Sequence, residues 1–221
     1  MAQSDIYGPK ADRLTRLAVI ERSEKDIASR RETPASPLLR LALGAIGGIF
    51  LCMGQSAAIW SWLGAASVML AVCGAGGLIG AVAGTLAAGI ACLRVFDCYN
   101  AKAVFWLILF LHAAGGALTG ALASLISRRL PVQAFAFLAA LLPAGLEHLS
   151  SFGAYGHLTS TALTQYGHPS VVCIARLGGL AAVTYVIFLF GAAVAVGIRY
   201  ARSMTLVFSS TVPAVAGVLL A

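Results

Sequence analysis

Apolar residues run almost without interruption from Leu38 to the last residue, broken only by short polar links. Residues 1–37 are different. Here Leu14, Leu17, Ala18, Ile20 and Ile27 recur at helical spacing among intermixed acids and bases, which predicts an amphipathic helix over Asp12–Arg31, leading to a linker at Pro34–Pro37. No charged residue occurs from Leu41 to Leu93. A membrane-crossing helix needs about 20 apolar residues, so this stretch predicts two spans, Leu38–Trp60 and Ala65–Leu93, with Trp60 and Trp62 anchoring the turn at the interface. Further spans are predicted at Ala103–Ser127, Pro131–His148, Leu177–Ile198 and Ser203–Ala221. Polar links, Arg94–Lys102 and Leu149–Arg176, separate them.

Charge sharpens this picture. The chain is 60% hydrophobic and 10% charged, and residues 1–40 hold six of the eight acids and eight of the fifteen bases. What remains cannot coat a water-facing surface, because soluble domains carry about 25% charged residues. The pattern therefore excludes a soluble enzyme, a nucleic-acid reader and a disordered chain, and predicts an all-α, polytopic transmembrane bundle. The net charge of +7 reads as topology charge beside anionic headgroups. Bases near span ends number eight on the side of the N-terminal arm (Arg22, Lys25, Arg30, Arg31, Arg40, Arg94, Lys102, Arg176). Four lie opposite (Arg128, Arg129, Arg199, Arg202), which places the N-terminus on the positive side.

Many of the 24 glycines fall inside predicted spans at intervals of four: Gly44 and Gly48; Gly76, Gly80 and Gly84; Gly116 and Gly120. Residues four apart share one helix face. A face without side chains lets two backbones approach closely, and in lipid that contact holds helices together where no hydrophobic drive exists. Three close-packing faces are expected.

Candidate chemistry is sparse. Arg94 and Asp97, three apart, read as a helix-end ion pair. His112, inside the third charge-free span, reads as a packing histidine, with haem, quinone or proton-relay roles as alternatives. Glu147 and His148 end the fourth span. Arg128 and Arg129 suit an anionic phospholipid headgroup such as cardiolipin, or simply mark topology. His148, His157, His168 and Cys173 lack the tight pairs of a zinc site, and five cysteines form no disulfide framework. No nucleotide loop, paired carboxylates or nucleophile–base motif occurs, so neither a catalytic activity nor a cofactor is expected.

GAIGGIF at Gly44–Phe50, Asp97–Cys98 after the second predicted span, GALTG at Gly116–Gly120 and Glu147 in the fourth follow one another in order. In this, residues 40–148 resemble the mitochondrial inner-membrane family of Tim-type translocase channel subunits, which includes an accessory subunit of respiratory complex I. The resemblance implies a glycine-packed four-helix module over residues 38–148, here followed by a polar link (149–176) and two further helices (177–221), and preceded by the arm. It implies a structural accessory subunit of a mitochondrial inner-membrane complex, with other membrane subunits and phospholipid as partners. An import-channel subunit is the first alternative, although the first four spans offer little polar surface. A small-solute or proton transporter using His112 is the second.

Overall fold

The computed structural model describes residues 35–93, 102–152 and 160–199. The N-terminal amphipathic arm, Arg94, Asp97, Cys98, His157 and the predicted last span lie outside the described residues. All regular structure among those described is helical: α1 (Pro37–Met53), α2 (Ala58–Val72), α3 (Gly77–Cys92), α4 (Lys102–Arg129), α5 (Val132–Ser151), a 3-10 turn (Thr161–Gln165), α6 (Pro169–Val172) and α7 (Ala175–Arg199).

Three helices, Lys102–Arg129, Ala134–Ser151 within α5 and Ala175–Ile198 within α7, are long and apolar enough to cross a membrane. They match the predicted third, fourth and fifth spans closely. The first two predicted spans are corrected. Where two long helices were expected, three short ones of 17, 15 and 16 residues form. Each rises only about 22–25 Å at 1.5 Å per residue, short of the roughly 30 Å hydrocarbon core. Residues 38–148 therefore hold five helices rather than four, and Trp60 and Trp62 lie within α2 rather than in a turn.

Local chemistry explains the breaks. Ser36 caps α1 by accepting from the Leu39 amide at 3.2 Å, with Pro37 supplying a preset φ at the first position. α1 ends at Gly54, where Ser61 Oγ and Leu51 O crowd the place of a Cβ. α2 ends at Cys73, whose extended ψ of 115° leads into Gly74 at φ +65°. Only glycine adopts that left-handed conformation without strain. Pro131 separates α4 from α5. Near the start of α7, Gly178 and Gly179 (φ +66°) interrupt the helical backbone.

The six longer helices pack in a closed circuit: α1 on α3, α3 on α4, α4 on α5, α5 on α7, α7 on α2, and α2 back on α1. α7 thus completes the bundle. Its Gly191 abuts the Ala65 backbone of α2, where an added Cβ would lie 2.6 Å from the Ala65 carbonyl carbon.

The glycine faces meet one another. Cβ atoms at Gly80 and Gly84 would run into the carbonyl oxygens of Gly120 and Gly116. Gly44 and Gly48 face α3, their Cβ positions 2.8 Å from the Ala83 and Ala87 carbonyl oxygens. Gly47, one residue round α1, meets α2 at Gly64 and Val68. α1 is thereby wedged between α2 and α3 on adjacent glycines. Gly76 is the exception to the expected face: it caps α3, and the nearest atom to its Cβ position is Arg128 Nη2 at 3.9 Å.

Candidate functional site: a central cavity with one polar end

Two polar clusters hold the frame around the bundle centre. Arg40, 3% exposed, reaches from the first turn of α1 to the end of α2, where Nη1 donates to Ala71 O at 3.0 Å and Cys73 O at 2.8 Å. From α4, Ser124 Oγ donates to Val72 O at 3.2 Å, and Ser127 Oγ accepts from the Gly74 amide at 2.7 Å. Non-helical backbone at membrane depth is tolerated only where protein satisfies it. Here a cation and two hydroxyls do so, and the cation also faces the negative end of the α2 dipole.

The second cluster ties the 3-10 turn to the start of α2. Gln165, 1% exposed, donates from Nε2 to Ala58 O at 3.3 Å and accepts from Trp62 Nε1 at 3.1 Å. Ser61 Oγ donates to Thr164 Oγ1 at 2.7 Å. Trp60 stacks on Phe50, and Trp62 meets Phe190 edge-on. Both tryptophans thus have aromatic packing partners.

Inside the circuit lies a cavity of about 500 Å³. All six longer helices contribute to its wall. One end is apolar, formed by Met69, Val72, Ala123, Ala139 and Phe188. The other end holds His112, Glu147, Ser150 and Thr161.

The α4–α5 hairpin brings His112 and Glu147 together. His112 lies 18 residues before Leu130 and Glu147 lies 17 after it, so antiparallel helices set them at one level. The register is fixed one turn away, where the Cβ position of Gly115 is 2.5 Å from Leu146 Cδ2. His112 Nδ1 is 3.0 Å from Ile108 O. A carbonyl only accepts, so Nδ1 carries the proton and Nε2 of the neutral ring is an acceptor. Neither residue is a lone polar group at the depth the sequence suggests for it: they share one chamber.

Other sequence candidates fall elsewhere. Arg128 and Arg129 are exposed in the last turn of α4, where they complement the helix dipole. His148 is exposed and edge-on to Phe152, and His168 is exposed before α6. Among the described residues no group of three metal-ligating side chains forms. Cys52 and Cys173 are free thiols. Gln165 and the Ser61–Thr164 pair escaped sequence reasoning, and Arg40, read there only as a topology charge, is a buried donor to the end of α2; its position two residues into an apolar run was the available signal.

No protein-family model matches the chain, and no curated protein matches it.

Proposed function

We propose that this chain is a non-catalytic structural subunit of a larger membrane assembly, seated in the mitochondrial inner membrane and belonging to a respiratory complex such as complex I. The resemblance of residues 40–148 to the Tim-type family supports the address. One structural observation carries the role: α1, α2 and α3 are each too short to cross the hydrocarbon core unaided, yet they carry large apolar side chains outward. Leu38, Ile49, Ile59 and Leu78 are all exposed. A helix shorter than the bilayer is accommodated by thinning the lipid or by packing against neighbours. Neighbouring membrane subunits at α1–α3 relieve the mismatch and cover these side chains, while glycine seams keep the bundle rigid enough to present them.

The test is native electrophoresis of mitochondria carrying a tagged copy, extracted in mild detergent. Co-migration with a respiratory complex is the expected result. Migration as a monomer, with no other subunit retained, overturns the reading.

A second reading, a small-solute or proton transporter, draws on the shared chamber of His112 and Glu147. It requires transport in liposomes containing the purified chain, and loss of that transport in His112→Ala. An import channel draws no comparable support, because among the described residues only Glu147 brings an acidic or basic side chain other than His112 to the cavity.

A further inference from the structure

The α2–α3 turn joins two parts of the chain that the hydropathy pattern set on opposite sides of the membrane. Arg40, in the first turn of α1, donates to Cys73 O at 2.8 Å, and Ser127, in the last turn of α4, accepts from the next amide, Gly74 N, at 2.7 Å. α1 therefore starts at the end of the bundle where α4 finishes. The packing registers agree. Gly44 and Gly48 of α1 meet Ala83 and Ala87 of α3 in parallel order, whereas Gly80 and Gly84 of α3 meet Gly120 and Gly116 of α4 in antiparallel order. Arg128 Nη2 lies 3.9 Å from the Cβ position of Gly76, at the start of α3.

α7 finishes at the same end. The 3-10 turn before it is tied to the opposite end of α2, where Gln165 Nε2 donates to Ala58 O at 3.3 Å. α7 then runs alongside α2, with Gly191 against Ala65. Arg199 lies eight residues past Gly191, and Cys73 lies eight past Ala65, so both reach one level.

The reversal follows from the number of crossings. Two long spans before Lys102 would return the chain to the side it started from; the three short helices α1, α2 and α3 leave it on the other. Every later element changes side with them. Among the described residues, Arg40, Arg128, Arg129 and Arg199 share one end of the bundle, while Lys102, Arg176 and the acid Glu147 share the other. Lysine and arginine near span ends set orientation, and acids count for little. Four bases face two.

We infer that the start of α1, the α4–α5 turn and the end of α7 face the positive side of the membrane, and that Lys102, Cys173 and the 3-10 turn face the opposite compartment. In the inner membrane the positive side is the matrix. That name rests on the address proposed above; the pairing of ends does not.

The experiment labels sealed membranes holding the full chain, mitoplasts under that address, with a sulfonated maleimide before and after the membrane is opened. Each thiol is read by peptide mass. Cys173 is an exposed native thiol. Leu38→Cys and Leu130→Cys, made singly, add one at an exposed position beside the start of α1 or between α4 and α5. The hydrocarbon core excludes a charged reagent, so from outside Cys173 should take up about tenfold more label than either introduced thiol, and opening the membrane should equalise them. Labelling of Leu38→Cys together with Cys173 from one side overturns the shared end. Labelling of both introduced thiols from outside, with Cys173 protected, overturns the orientation. If Leu38→Cys does not fold, Ser56→Cys, exposed in the α1–α2 turn, replaces it. It should label with Cys173 and apart from Leu130→Cys, and the reverse pairing overturns the shared end. If the chain resides in another membrane, the same labelling there still tests the pairing, so the two readings fail separately.

Discussion

The Arg40 guanidinium donates to the Cys73 carbonyl at 2.8 Å, joining the first turn of α1 to the residue that ends α2. The same Nη1 serves Ala71 O. One side chain thus satisfies two carbonyls that the end of a helix leaves without intrahelical partners. Arg40 is nearly fully buried, so removing it strands acceptors away from water.

Arg40→Leu should therefore destabilise the bundle by about 3 kcal/mol, the combined scale of a charged hydrogen bond and buried acceptors left bare. Arg40→Lys, which keeps the charge but not the planar fork, should recover part of that loss. Chemical unfolding in mild detergent measures both. A leucine variant as stable as the native chain would show that the α2 end is satisfied by other means.

The α3–α4 seam makes a sharper distinction. A Cβ at Gly84 would overlap the Gly116 carbonyl, whereas Gly77, two turns earlier, has open space at its Cβ position. Gly84→Ala should force the helices apart and lower the folded yield severalfold. Gly77→Ala should be neutral or stabilise slightly, since alanine favours helix by about 1 kcal/mol over glycine. Size-exclusion profiles and unfolding temperatures of the pair settle it; equal behaviour would deny the close approach.

Gln165 ties the 3-10 turn to α2 at two points, accepting from the Trp62 indole and donating to Ala58 O. Gln165→Leu should cost about 2 kcal/mol by leaving buried polar groups without partners. It should also change the fluorescence of Trp62. Unaltered emission together with unaltered stability would remove the turn from the folding core.

Thr184 offers the opposite sign. It is fully buried on α7, and among the described residues its Oγ1 has no hydrogen-bond partner. Thr184→Val keeps the shape and removes the stranded hydroxyl, so it should raise stability by about 1 kcal/mol. A fall in unfolding temperature would mean that the hydroxyl has a partner in the membrane.

Hydrophobic pattern alone located the three long helices to within a few residues, because spans bounded by Arg128–Arg129 and Pro131, or by Arg176 and Arg199, have unmistakable ends. It also marked Gly80, Gly84, Gly116 and Gly120 as bare faces, since spacing by four is a property of the helix itself. Between Leu41 and Leu93 it failed. With no charge to punctuate that stretch, hydropathy could not tell a turn from a continuing helix, and both breaks depend on groups distant in sequence. Gly74 turns where Ser127 meets its amide and Arg40 meets the carbonyl before it.

The sequence by itself determined that the chain is apolar, helical and able to cross a membrane, and which helix faces lack side chains, because composition and periodicity are local properties. Only the tertiary structure decided which bare faces meet, that α7 closes the circuit, and that His112 and Glu147 open into one chamber. Those relations rest on the register of the α4–α5 hairpin and on contacts among helices far apart along the chain, and no window of sequence contains them.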